Sequence, residues 1–365
     1  MSLRWCGTVP PVNAAANVAI GERLVGPGNP VLIVAEVGVN HDGELHTALE
    51  LVDVAADAGA DAVKFQSFEP AQLVTASSPL ASYQRRGASS EGGQREMLAR
   101  LALGPDEHEA IVERCCERGI MFLSTPFDAG SAQMLAGLGV PAFKVGSGEL
   151  TNLPLLERLS DYGLTILLST GMSDLKEVAA AVSVIRAQAV ALVLLHCTSS
   201  YPAPEDEANL RAIDTLREAF GVPVGYSDHC LGLAASLAAV ARDACLLERH
   251  FTLDRDRPGP DHAMSLEPAE LRELVDQVRA VEAMLGDGRK RPQPSEQELR
   301  TISRRSLVAA RPLAAGEMIT GESLAVKRPG DGLPPARLAS LIGMRLALPL
   351  DVDEQLTEAH LEPAS

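Results

Sequence analysis

From Val31 onward, short β-branched runs alternate with longer amphipathic stretches until eight such pairs have passed. Strands that alternate with helices make βαβ units, and such units build a parallel sheet covered by helices. The strand candidates are residues 31–35, 62–65, 121–124, 142–145, 165–169, 191–196, 222–226 and 245–249. Apolar residues at helical spacing predict helices over 45–58, 95–118, 129–138, 175–187, 207–219 and 233–241. A last helix opens on Pro268, a residue suited to a first turn, and stops at Gly286. Eight units in roughly 250 residues predict a closed (β/α)8 TIM barrel rather than an open doubly wound sheet. No glycine-rich dinucleotide fingerprint follows the first strand.

Residues 1–28 read as an irregular lead-in and 29–286 as the barrel. The polar stretch 287–303 carries two prolines and reads as a linker. Residues 304–365 form a second, smaller domain: its apolar segments Leu307–Ala310, Met318–Ile319 and Leu324–Val326 are too short, and too broken by Gly/Pro turns, to repeat the barrel.

A formal net charge of -17 and an aromatic content of 3% argue against nucleic acid as a partner, since a polyanion is repelled and few rings are present to stack on bases. An anionic small substrate meets the same repulsion unless lysines and arginines converge on it. The 6 cysteines form no CxxC pair and no disulfide framework, which fits reduced thiols. No signal-peptide pattern and no long apolar run is present, so the expectation is a soluble, cytoplasmic protein without a membrane span.

Chemistry in a β/α barrel sits at the C-terminal ends of the strands. Here nearly every predicted strand runs into polar residues: Glu36, Asn40 and His41; Lys64 and Gln66; Thr125; Lys144, Ser147 and Glu149; Ser169; Thr198, Ser199 and Tyr201; Ser227, Asp228 and His229; and His250. Any one of them alone is more often a hydrogen-bonded structural residue or a helix cap than a catalyst. Lys64 and Lys144 stand apart, because they interrupt the apolar runs AVKFQ and AFKVG, where an unpaired ammonium is costly. A buried anion would satisfy both, and Ser147, Ser169 and Ser227 would help to cradle a phosphate and a carboxylate. His229 and His250 end adjacent strands; they offer two imidazoles to a divalent metal, or else form a buried hydrogen-bonded pair. Glu36, Asp228 and Asp261 offer carboxylates to such a metal, to its water or to a sugar hydroxyl.

The blocks AEVGVNHDG (35–43), DAVKFQ (61–66), FLSTPFD (122–128), FKVGSGEL (143–150), LLSTGM (167–172), LLHCTSSYPAP (194–204), GYSDHC (225–230), ERHFTLDRDRPGPDHAMSLEP (248–268), RRSLVAA (304–310) and KRPGDGL (327–333) follow in that order. Together they resemble the sialic acid synthase family, which takes in N-acetylneuraminate synthases and their legionaminic and pseudaminic acid relatives. The C-terminal domain resembles the antifreeze-like (SAF) domain of these enzymes. The resemblance implies that Lys64, Lys144, Ser147, Ser169, Ser227 and Ser199 bind phosphoenolpyruvate. It implies His229 and His250 as ligands of a divalent metal, manganese first, with magnesium or cobalt as alternatives. Glu36 falls at the acidic position near the metal-bound water, and Gln66, Thr125, Glu149, Tyr201 and Asp261 at sugar-binding positions. Arg328 matches the cap-domain arginine that reaches the sugar N-acetyl group from the partner subunit of a domain-swapped homodimer. Two positions depart from the pattern: Ser199 replaces an asparagine found in some members, and Arg249 replaces a lysine before the metal histidine.

The resemblance implies a phosphoenolpyruvate-dependent transferase. In that reaction C3 of phosphoenolpyruvate attacks the aldehyde of an open-chain acetamido sugar, water adds at C2 with Glu36 as base, and phosphate leaves a nine-carbon 2-keto-3-deoxy acid. The first expectation for the acceptor is N-acetylmannosamine, giving an N-acetylneuraminate synthase. The alternative is a 2,4-diacetamido-2,4,6-trideoxy sugar, giving a legionaminic or pseudaminic acid synthase. A more distant alternative is a Schiff-base aldolase built on one of the lysines.

Overall fold

The computed structural model describes residues 17–80 and 93–362; residues 1–16 of the lead-in, with Cys6, lie outside the described residues. The chain divides into two units between Gly286 and Asp287. In the first, β1 (Val18–Ile20) and β2 (Arg23–Val25) pair antiparallel as a hairpin. Eight parallel strands then close into a barrel: β3 (Leu32–Gly38), β4 (Ala62–Ser67), β5 (Met121–Pro126), β6 (Ala142–Val145), β7 (Thr165–Ser169), β8 (Leu192–Cys197), β9 (Val224–Asp228) and β10 (Leu246–His250), with β10 pairing back to β3. The fold class read from the alternating pattern is therefore observed.

Side chains along a strand alternate between the barrel interior and the helices outside. Ile33, Val63, Phe65, Phe143 and Tyr226 face outward into the helix layer. Leu32, Val34, Ala62, Leu123, Ala142, Leu167, Val193, Leu195 and Leu246 fill the interior. Carried one or two steps further along each strand, the inward parity delivers Glu36, Lys64, Gln66, Thr125, Lys144, Ser169, Cys197, Ser227, Glu248 and His250 to the C-terminal end. The barrel thus changes from oil to charge along its axis.

The lead-in departs from the irregular segment expected. Ile20 and Val25 are fully buried among the interior residues and stop the N-terminal end of the barrel. Arg23 pairs with Asp61 at 2.6 Å, and the Ala19 carbonyl accepts from Thr165 Oγ1 at 2.7 Å. Asp61 also accepts from the Ile33 amide and pairs with Arg279 on the helix Pro268–Leu285, tying stopper, strand and last helix together. Three-residue strands are too short to show a period of two, which hides this hairpin from sequence reading.

Other helix boundaries also differ. The span 95–118 is two helices, Gln94–Leu101 and Pro105–Arg118, because Pro105 has no amide hydrogen to continue the first. The helix expected from residue 207 begins at Ala212, after a short 3-10 turn Glu205–Glu207 and a left-handed Asn209. Leu153–Ser160, which the pattern leaves unassigned, is a helix capped by Asn152. Among the described residues, no helix is long and apolar enough to cross a membrane.

In the second unit, β11 (Ser306–Ala309) pairs antiparallel with β12 (Leu324–Lys327). Leu307, Leu313, Ile319, Leu341, Leu346, Leu350 and Leu356 supply an aliphatic core. Within the stretch read as linker, residues Gln297–Ser303 form a helix with no buried residue.

Candidate active site

A cavity of about 880 Å³ opens at the C-terminal ends of the barrel strands. Glu36, Lys64, Gln66, Thr125, Lys144, Ser147, Ser169, Ser199, Tyr201, Ser227, His229, His250 and Asp261 all line it. Glu149 does not: it sits in the 3-10 turn Ser147–Glu149 and accepts from Asn152 Nδ2 at 2.7 Å. Arg328 lies in the C-terminal unit, exposed directly after β12.

The floor of the cavity is a charged quartet. Lys64 Nζ lies 2.5 Å from Glu36 Oε2 and 3.9 Å from Glu248 Oε2, while Lys144 Nζ lies 3.3 Å from Glu248 Oε1. Ser227 Oγ donates to Glu248 Oε1 at 3.0 Å. All four charged groups are buried. The lysines therefore do not wait unpaired for an anion, as the sequence suggests; two protein carboxylates already balance them. Burial pushes the Glu36 carboxyl up to about 7, against the pull of Lys64. Glu248 is also buried, but Lys144 and Lys64 together outweigh that and hold it below the usual carboxylate range. Burial and the neighbouring Lys64 lower the Lys144 ammonium.

Beside the quartet lies a cradle of hydroxyls. Gly171 N donates to Ser147 Oγ at 3.0 Å. A Cβ on Gly171 would fall 2.3 Å from Ser199 Oγ and 2.8 Å from Ser147 Oγ, so only glycine lets the end of β7 approach both. Ser169 Oγ is buried without a hydrogen-bond partner among the described residues. An unpaired buried hydroxyl is costly, and a ligand oxygen would relieve it.

His229 and His250 lie with ring centroids 5.5 Å apart, and the Tyr201 ring stands 4.4 Å from the first and 6.1 Å from the second. His229 Nδ1 is 2.9 Å from the Thr198 carbonyl, which can only accept, so Nδ1 carries the proton and Nε2 keeps a lone pair. His250 Nδ1 is buried with no partner. Burial, with His229 beside it, holds the His250 imidazole well below its ordinary range and therefore neutral. Two imidazoles with an open nitrogen each suit a divalent cation, and on His229 the Thr198 carbonyl at Nδ1 leaves Nε2 to face it. In the absence of a cation, burial is outweighed by Cys197 and that carbonyl, which hold the His229 imidazole above its ordinary range. No group of three or more His, Cys, Asp or Glu able to hold a metal occurs among the described residues, so water or substrate would complete the coordination.

Asp228 corrects one expectation. It faces out of the barrel, pairs with Arg249 at 2.5 Å and accepts from Ser236 Oγ at 2.5 Å, so it offers nothing to the cavity. Its strand neighbours Ser227 and His229 line the cavity instead. Asn40 and His41 are likewise structural: Asn40 Nδ2 donates to the Phe251 carbonyl, and His41 Nδ1 accepts from Gly43 N. Asp261 does reach the cavity, and burial raises its carboxyl to about 6. Gly38, at φ +57, leaves room for it: a Cβ there would lie 3.2 Å from both Glu36 Oε1 and Gln66 Nε2, and 3.6 Å from Asp261 Oδ2.

Glu248 is the site residue that the sequence reading passes over. The same argument that singles out the lysines applies to it, since it is an acid embedded in an apolar strand and shares inward parity with His250. Cys197, with Sγ 3.7 Å from His229 Nδ1, also lines the cavity.

The model of the NeuB family matches residues 51–290, and that of the SAF domain residues 304–362. The chain is 42% identical, over 94% of its length and 98% of the relative's, to the N,N'-diacetyllegionaminic acid synthase of Legionella pneumophila. Against the N-acetylneuraminate-9-phosphate synthase of Mus musculus it is 34% identical, over 94% of this chain and 96% of that one. A crystal structure of an N-acetylneuraminic acid synthetase from Leptospira borgpetersenii in complex with citrate superposes with a TM-score of 0.70 at 38% identity, covering 78% of this chain and 95% of that one. The parallel barrel, the blocks spread along it and the C-terminal SAF domain lead to one assignment: this chain belongs to the NeuB family.

Proposed function

We propose that the chain condenses phosphoenolpyruvate with a 2,4-diacetamido-2,4,6-trideoxy sugar, giving a nine-carbon 2-keto-3-deoxy acid and phosphate. The observation that carries the reading is the cavity, where two buried lysines, the hydroxyls of Ser147, Ser169 and Ser199 and the imidazoles of His229 and His250 line one space. The relatives favour this acceptor: identity is 42% to a diacetyllegionaminic acid synthase and 34% to an N-acetylneuraminate-9-phosphate synthase. That supports the acceptor named second in the sequence reading over N-acetylmannosamine.

In this mechanism Lys64 and Lys144 neutralise the phosphate and carboxylate of phosphoenolpyruvate, and the serine hydroxyls orient them. Gln66, Thr125 and Asp261 hold the acceptor so that its aldehyde carbon meets C3. His229 and His250 would hold a divalent cation, manganese first; when bound, it supplies Lewis-acid polarisation of the aldehyde. After C–C bond formation, Glu36 takes a proton from the water that adds at C2, and the C2–O bond to phosphate breaks. Arg328 would reach the acetamido group from the second subunit of a homodimer.

Release of phosphate from phosphoenolpyruvate tests the reading. It should require both an acetamido sugar and a divalent cation, stop with a chelator and return with manganese. Release indifferent to chelation, or to the sugar, sinks it. Borohydride inactivation in the presence of pyruvate would instead mark a Schiff-base aldolase.

A further inference from the structure

The cavity has a second, chemically different side. Leu73, Val74, Met97, Leu98, Leu101 and Phe127 also line it. They come from the chain that follows β4 and from the end of β5, the sector that also carries Gln66 and Thr125. The anion-binding hydroxyls of Ser147, Ser169 and Ser199 come from the ends of β6, β7 and β8. These apolar side chains form a satellite cluster with Val39 and Phe68, separate from the main core, and so are more than the edge of the barrel's packing. Gln94 is the polar member of this side, and its Oε1 already accepts from Ser78 Oγ at 2.8 Å.

We infer that this apolar wall selects the acceptor by its far end. The inference rests on the synthase reading above and adds the residues that choose the sugar. With the aldehyde at the charged floor and the sugar seated by Gln66 and Thr125, C4 to C6 point along the wall. N-acetylmannosamine would present three hydroxyls there, each losing water with few partners to replace it. A 2,4-diacetamido-2,4,6-trideoxy sugar presents there one hydroxyl and one amide, and its C6 methyl and acetamide methyl bury on aliphatic side chains with gain. An apolar pocket rejects an added hydroxyl only moderately, so the preference should be about 10- to 200-fold in kcat/KM.

The test compares both sugars as acceptors for the full chain and for two wall variants. Leu98→Gln places an amide in the wall. Val74→Thr exchanges a methyl for a hydroxyl at a half-buried position, and stands in if the first variant does not fold. The inference predicts that each folded variant narrows the diacetamido preference by about tenfold, with KM for phosphoenolpyruvate moving less than about twofold. A merely structural wall would lower both sugars together and leave the ratio unchanged, which overturns the inference. A parent enzyme that prefers N-acetylmannosamine overturns it too, while the condensation reading stands. Turnover of neither sugar brings down both.

Discussion

The two ends of the barrel interior use the same strands for opposite purposes. At the N-terminal end Ile20 and Val25 close a largely aliphatic stack with no charged side chain inside it. At the C-terminal end, two residues further along each strand, Glu36, Lys64, Lys144 and Glu248 are equally buried but charged. Burial stabilises at one end and is costly at the other, because desolvating an ion is offset only by a well-placed partner. The closed sheet supplies both: a period of two delivers every second residue inward, whatever its chemistry.

Substitutions at each end should separate these purposes, and the largest effect belongs to the charged end. Lys144→Met removes the nearest ammonium from Glu248, and breaking such a pair commonly costs about 3–5 kcal/mol. Chemical denaturation should show that loss, and KM for phosphoenolpyruvate should rise about 100-fold or more. Adding Glu248→Gln should recover part of the stability but none of the affinity; recovery of both would mean that the lysine serves the fold alone. At the other end, Ile20→Ala should cost about 2–5 kcal/mol of stability. Its kcat/KM at 25 °C should stay within about twofold of the parent value, and a large loss of turnover would end the division of labour drawn here.

A smaller effect should appear against pH. Glu36 must be ionised to accept a proton, and burial sets its carboxyl at about 7. Below that pH, kcat/KM should fall by about tenfold per unit, and Glu36→Gln should abolish that limb of the profile. The stability contribution has the opposite sense. The folded chain keeps the Glu36 proton more tightly than the unfolded chain, whose value is near 4.5, so this contribution is full below 4.5 and declines as pH rises through about 7. The smallest expected signal tests the homodimer: Arg328→Ala and His229→Ala chains, each inactive, should regain up to about half of normal activity per heterodimer when co-refolded. No recovery in proven heterodimers would restrict each cap to its own barrel.

The eight barrel strands were legible because their β-branched runs are bounded by long helical patterns. Lys64 and Lys144 were legible because a charge inside an apolar run contradicts its surroundings. Glu248 is hidden in the sequence because Arg249 and His250 follow it, and a run of three polar residues looks like the end of a strand rather than its interior. Asp228 misleads in the reverse way: beside Ser227 and His229 it looks like a site residue, although parity turns it outward to Arg249. Glu149 stands near the cavity in sequence, but its 3-10 turn directs it to Asn152. Cluster membership in sequence and direction in space are separate questions, and within a strand parity connects them.

The stopper at the base of the barrel also bears on synthesis. Its residues leave the ribosome ahead of every barrel strand, yet Ala19 meets Thr165, Ile20 and Val25 pack with Leu246, and Arg23 shares Asp61 with Arg279. The docking surface is complete only once the eighth barrel strand has been made. The hairpin is therefore early in translation and late in assembly, and a nascent chain carries Ile20 and Val25 exposed to water, and to chaperones, for nearly the whole time that the barrel is being built.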